Sequence, residues 1–176
     1  IIQIGKANWG SGEYYEGLID NVKIYSRAKE AAEIAEDAPV IVQDEDAENT
    51  TPFASYAFNG NTEDSSGNGY NGTLTGTASY ETDGRGGIVF PTGEDGQTGV
   101  NYVRLDDSIL DKLQDGGELT VTAWVRNDIT SGNSNARGAV FSFGSDEKNQ
   151  FSFATLNWGK ARATFLVNNK EMGGDW

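Results

Sequence analysis

The sequence contains no histidine and no cysteine, and these two absences exclude more than any motif includes. Without imidazole there is no Ser-His-Asp or Cys-His relay and no histidine metal ligand. Without thiols there is no disulfide, no thiolate zinc site and no cysteine nucleophile. Basic residues are scarce as well: 13 Lys and Arg stand against 27 Asp and Glu, a formal net charge of −14. That charge argues against a nucleic-acid backbone or an anionic membrane surface as partner. No apolar run approaches the roughly 18 residues a membrane span requires, so membrane insertion is not expected. Chemistry is left to carboxylates, amides, hydroxyls, Lys, Arg and aromatic faces. That set best suits hard cations bound through oxygen.

What is present points to a packed β protein. Eight Phe, seven Tyr and four Trp can furnish a core. Leu119 to Arg126 alternates apolar and polar, placing Leu119, Val121, Ala123 and Val125 on one face. Phe53 to Phe58, Ile88 to Phe90, Tyr102 to Leu105, Ala139 to Phe143, Gln150 to Leu156 and Ala161 to Val167 read as further strands. Gly, Asn and Asp clusters separate them at the spacing of an all-β sandwich. Asn157-Trp158-Gly159 is expected at a hairpin apex. Two segments read as helices. Arg27 to Asp37 is rich in Ala and Glu, with Ser26 placed to cap its first turn, and Asp107 to Leu113 is long enough for a turn or two. Between Pro39 and Pro52, four acidic residues and no basic one read as an extended, self-repelling linker.

Two stretches carry a resemblance. Gly17-Leu18-Ile19-Asp20-Asn21-Val22-Lys23-Ile24-Tyr25-Ser26-Arg27-Ala28, followed by Glu33-Ile34, is similar to a closing strand and short helix. Tyr56-Ala57-Phe58-Asn59-Gly60-Asn61, with Asp64-Ser65-Ser66-Gly67-Asn68-Gly69 after it, is similar to an opening strand and its Asn/Gly-rich loop. Val121-Thr122-Ala123-Trp124-Val125 resembles a central strand of the same family. The family is that of the LamG-like, concanavalin A-like jelly-roll modules of secreted bacterial proteins. The resemblance implies an antiparallel jelly-roll β-sandwich, secreted or displayed at the cell surface. Its elements stand here in permuted order, closing before opening, and Gly174-Asp175-Trp176 resembles the start of a later family strand.

Three organisations would produce that order. The chain could span two tandem modules, with residues 1–37 the tail of one, 38–52 a linker and 53–176 the unfinished beginning of the next. It could be a circular permutant. It could complete its sandwich with strands from a neighbouring chain. The acidic linker favours the tandem reading, and any sandwich lacking core strands would expose unpaired edges.

Asp20 is the residue most open to a functional role. Strand parity with Val22 and Ile24 would point it toward the core, where an unpaired carboxylate is costly. A β-bulge, or hydrogen bonds to backbone amides, would answer that cost without a ligand. The resemblance implies instead a structural Ca²⁺ held by Asp20 with Asn59, Asn61 and Asp64, whose loop is rich in oxygen. Turn formation by side-chain to backbone hydrogen bonds is the competing role for Asp64. Trp9, near Tyr14 and Tyr15, and Trp158 are each flanked by Asn and Gly. A Trp in such a setting can present a flat face to a sugar ring or cover a sheet end. Trp9, Tyr15 and Trp158 are therefore the candidate ligand-binding residues. No strand carries the paired carboxylates a glycosidase needs. The expectation is a non-catalytic carbohydrate-binding or adhesion module whose partner is a polysaccharide or glycan. The alternative is a structural repeat or filament subunit whose partners are neighbouring copies.

Overall fold

The computed structural model describes residues 1–7, 14–36, 51–81, 86–91, 101–113, 119–128, 137–146, 149–157, 160–168 and 170–175. In chain order the strands are β1 (Ile2–Ile4), β2 (Gly17–Tyr25), β3 (Ala54–Tyr56), β4 (Thr73–Thr75), β5 (Ser79–Tyr80), β6 (Ile88–Phe90), β7 (Tyr102–Arg104), β8 (Thr120–Asn127), β9 (Arg137–Asp146), β10 (Asn149–Asn157), β11 (Lys160–Val167) and β12 (Lys170–Asp175). Two short helices join them, α1 (Ala31–Glu36) and α2 (Ser108–Leu113). One sheet has seven strands in the order β12-β11-β10-β9-β1-β7-β4. The other has five: β2 pairs β8 along one edge and both β3 and β6 along the other, with β5 beyond β6. Every pairing is antiparallel. The chain is thus the expected all-β antiparallel sandwich.

The two segments read from sequence as parts of separate modules pair with each other here. β1 lies between β7 and β9, and β2 bonds β3, β6 and β8. Ile2, Ile4, Ile19, Val22 and Ile24 from the early segment share one core with Tyr56, Phe58, Ile88, Phe90 and Val103 from the later one. The described residues of 1–36 and 51–175 therefore build a single sandwich in this structure. The linker expected over 38–52 lies outside the described residues except for Thr51 and Pro52.

The sheet registers sort side chains into rows. On the seven-stranded sheet Leu74, Val103, Ile4, Phe141, Phe153, Ala163 and Gly174 stand opposite one another in succession, and the first five of them face the core. The neighbouring row, offset by one residue, runs Thr73, Arg104, Gln3, Ser142, Ser152, Thr164 and Gly173. Alternation across the pleat turns that row to the opposite face. In these two rows apolar and polar character thus separate by face from β4 to β11, while on β12 both rows hold glycine.

Local details depart from the sequence reading. Helix α1 begins at Ala31, so the exposed Ser26 is too early to cap it. Glu33 supplies the cap instead: its Oε2 accepts the Glu30 backbone N–H at 2.7 Å and an Arg27 N–H at 3.0 Å. The hairpin read around residue 158 is present, since Asn157 of β10 stands opposite Lys160 of β11. Strand β1 was not expected, and neither were β4, β5 and β12. Their sequences TLT, SY and KEMGGD hold too few alternating apolar residues to announce a strand.

Candidate functional site

Asp20 sits at an irregularity of β2. It pairs with Trp124 of β8, while Lys23 pairs with Thr122, so Asn21 and Val22 stand against the single residue Ala123. This is a β-bulge, with Asn21 in the left-handed region at φ 48°. The extra residue explains how Ile19 and Val22, three apart, can both belong to the core. The simple parity that aimed Asp20 inward is broken by it. The carboxylate is nonetheless buried, at 7% exposure, and its Oδ2 accepts the Asn21 side-chain amide at 2.8 Å.

The bulge lies beside a gap in the sheet. On its other edge β2 pairs with β3 at Val22 to Ile24 and with β6 at Gly17 to Ile19, which leaves Asp20 and Asn21 between the two partners. Phe58, itself at φ 49°, accepts the Gly87 N–H across the gap at 3.3 Å. The Asn59 side-chain oxygen lies so close over Gly86 that a Cβ there would come within 1.9 Å of it. Gly86 is required for that approach. Asp20 and Asn59 thus both border one break in the five-stranded sheet.

Asn61 and Asp64 are engaged elsewhere. Asp64 Oδ1 accepts the backbone N–H groups of Ser55 and Ser66, each at 2.9 Å. Its Oδ2 accepts the Ser66 hydroxyl at 2.8 Å and the Tyr70 N–H at 3.1 Å. An ionised carboxylate offers about four lone-pair sites, and four donors fill them. Burial alone would raise the Asp64 pKa, but the donors from Ser55, Ser66 and Tyr70 outweigh it and leave the group below its ordinary value. Asn61 accepts the Glu63 N–H at 3.1 Å in a local turn. The four-ligand calcium set therefore does not fit as a whole. Asp64 and Asn61 shape their loop, and only Asp20 and Asn59 border a common gap. Among the described residues no three carboxylates gather as a metal cluster.

The aromatic candidates divide as well. Tyr15 is 1% exposed within the core cluster, so its ring offers no face to a sugar. Trp9 and Trp158 lie outside the described residues. A different aromatic group emerges on the polar side of the long sheet. Lys6 places its ammonium 4.9 Å from the Tyr102 ring centroid and 5.6 Å from that of Tyr14. Burial, and then Tyr102, raise the Tyr14 pKa. Next to this trio the polar row runs from the exposed Thr73 and Arg104 into Gln3, Ser142, Ser152 and Thr164, which are all buried. Ser142 donates to the Lys6 carbonyl at 2.5 Å, and Arg162 bonds both Thr164 Oγ1 and Glu171. No sequence spacing announces this face, because Lys6 and Tyr102 meet only through the β1–β7 pairing.

No family model, curated protein or solved structure matches the chain.

Proposed function

We propose that this protein is a non-catalytic, extracellular carbohydrate-binding or adhesion module of the LamG-like kind, and that it engages a polysaccharide or glycan with the polar face of its seven-stranded sheet. The observation carrying this reading is the Lys6, Tyr14 and Tyr102 trio beside the exposed Thr73 and Arg104 of the β4–β7 pair. Sugar recognition needs flat apolar faces for pyranose rings and fixed polar groups for hydroxyls. Tyrosine rings beside the exposed Thr73 and Arg104 supply both. The lack of His and Cys supports a binding role over a catalytic one. The calcium part of the reading narrows to the gap bordered by Asp20 and Asn59. A bound ion there would tie the bulge of β2 to the residues following β3.

A glycan array and polysaccharide pull-down test the proposal. Binding should appear for at least one glycan class and fall about tenfold or more, roughly 1.4 kcal/mol, in Tyr102→Ala. Binding unaffected by Tyr102→Ala but abolished by Trp158→Ala would move the site to the β10–β11 hairpin. Absence of binding to any glycan would reject the reading.

A further inference from the structure

All three Asn-Gly dipeptides of the chain fall between β3 and β4: Asn59-Gly60, Asn68-Gly69 and Asn71-Gly72. Such a pair can react within itself. The glycine nitrogen attacks the carbonyl carbon of the asparagine side chain, and a following residue without Cβ leaves that approach open. The rate then depends on whether the fold holds the two groups apart or lets them meet.

The structure separates the three pairs. Asn71-Gly72 is fixed on both sides. The Gly72 N–H donates to the Thr62 carbonyl at 2.8 Å, and the Thr62 hydroxyl donates to the Gly72 carbonyl at 2.8 Å. Asn71 Oδ1 accepts the Asp64 N–H at 2.9 Å. Gly72 also packs so closely on Val103 that a Cβ would stand 2.5 Å from that side chain. Turning the Gly72 nitrogen toward the Asn71 side chain would break these contacts. Asn68 is tethered more lightly: its Nδ2 donates to the Phe53 carbonyl at 3.0 Å and its backbone N–H to Ser66 Oγ at 3.3 Å. Asn59 and Gly60 are both exposed. Gly60 lies at φ 89°, with no atom within 4 Å of where a Cβ would stand. The Asn59 side-chain oxygen rests over Gly86, which has no side chain to grip it. Among the described residues no hydrogen bond holds the Asn59 amide or the Gly60 N–H.

We propose that Asn59-Gly60 is a site of spontaneous covalent modification, its amide converted to aspartate and isoaspartate while the hydrogen bonds at Asn71-Gly72 protect that pair. The Gly60 nitrogen forms a bond to Asn59 Cγ. Its proton leaves with the side-chain nitrogen as ammonia, and a five-membered succinimide results. Water then opens the ring at one carbonyl or the other. One opening restores the backbone and leaves aspartate; the other routes the backbone through the side chain as isoaspartate. Water is the sole co-reactant. Either product adds a carboxylate at the break in the five-stranded sheet that Asp20 borders. Isoaspartate also inserts a backbone atom next to Phe58, whose carbonyl accepts the Gly87 N–H across that break.

The test incubates the intact 176-residue chain at mildly alkaline pH, beside a sample unfolded in guanidinium chloride, and follows each asparagine by peptide mass spectrometry. The unfolded chain supplies a reference rate for each pair. Native Asn59 should keep most of its reference rate, whereas native Asn71 should fall about tenfold or more below its own. Native Asn68 should lie between them. Asn59→Gln, at an exposed position, puts the side-chain carbonyl out of reach of a five-membered ring. It should abolish the fast native reaction while leaving the circular dichroism spectrum unchanged. A native Asn59 rate about tenfold or more below its reference would overturn the proposal. So would a native Asn71 that reacts as fast as its own reference, or a fast reaction that persists in Asn59→Gln.

Discussion

Phe151 and Phe165 stand directly opposite each other on β10 and β11 with ring centroids 4.6 Å apart, yet Phe165 keeps almost half its surface in contact with solvent. An aromatic pair of this kind normally ends up under the opposing sheet of a sandwich, where both rings lose water. Here the boundary of the core passes between them. Toward β1 the row continues through Phe143 to the fully buried Ile2, and toward β12 it ends on exposed Met172. Hydrophobic stabilisation follows apolar area removed from water, so one row samples its full range.

The cost of truncation should fall along that row. Ile2→Ala is expected to destabilise by about 2–5 kcal/mol, as for a filled core position. Met172→Ala should change stability by no more than about 0.5 kcal/mol, as for an exposed site. Phe151→Ala should lie between them. Chemical denaturation of the three variants checks the order, and a Met172→Ala penalty equal to that of Ile2→Ala would show the outer strands to be covered in solution.

The loop from Asn59 to Gly72 should depend on Asp64 without any metal. Asp64→Ala leaves the N–H groups of Ser55, Ser66 and Tyr70 without their acceptor. Water can replace part of that bonding in a half-exposed loop, so the expected loss is about 2 kcal/mol. Asp64→Asn keeps one carbonyl oxygen for the Ser55 and Ser66 donors and should lose less. Denaturation midpoints for both variants, with and without calcium, provide the check. Calcium that restored Asp64→Ala would contradict the hydrogen-bonding role.

Sequence reasoning read the strands with clean alternation, and the structure places them in one antiparallel sandwich. It missed where phase changes or where neighbours are remote. The bulge at Asn21 inserts one residue into β2, so parity counted from Val22 gives the wrong aim for Asp20. A left-handed Asn is a weak signal, since Asn also marks turns. Tyr15, next to the polar Tyr14 and Glu16, looked like part of a ligand loop, but its ring is in the core. The sequence leaves Asp64 open to turn or ligand, and in the structure its two oxygens accept four donors within the loop. The trio of Lys6, Tyr14 and Tyr102 was illegible because its members are joined by sheet register rather than spacing.

If calcium binds beside the bulge, its effect should run through Asp20. Chelation would then lower the thermal midpoint of the wild-type protein and leave Asp20→Asn unmoved. Asn61→Ala should respond to chelation like wild type, because Asn61 Oδ1 is already occupied by the Glu63 N–H. Differential scanning fluorimetry with and without chelator separates these cases. A wild-type midpoint that ignores both calcium and chelator would remove the metal from the proposal and leave glycan binding to be judged alone.

Acid should loosen α1 and the Asp64 loop in different pH ranges. Glu33 is held at about 2, against an ordinary 4.5, first by its side-chain hydrogen bond with Arg27 and then by the Glu30 backbone N–H. A depressed carboxyl pKa means that the unfolded chain takes up the proton first as pH falls. The contribution of Glu33 is therefore fully present above 4.5 and is lost progressively as pH drops toward 2. Asp64 is also depressed, so its contribution begins to fade as pH falls below the ordinary Asp range of about 4. Carboxyl-carbon NMR titration reads both groups directly. Arg27→Gln should bring the Glu33 titration upward while leaving Asp64 in place, since Arg27 makes no contribution to the Asp64 shift. A wild-type Glu33 titrating near 4.5 would mean that the Arg27 pairing and the Glu33 cap of α1 do not persist in solution.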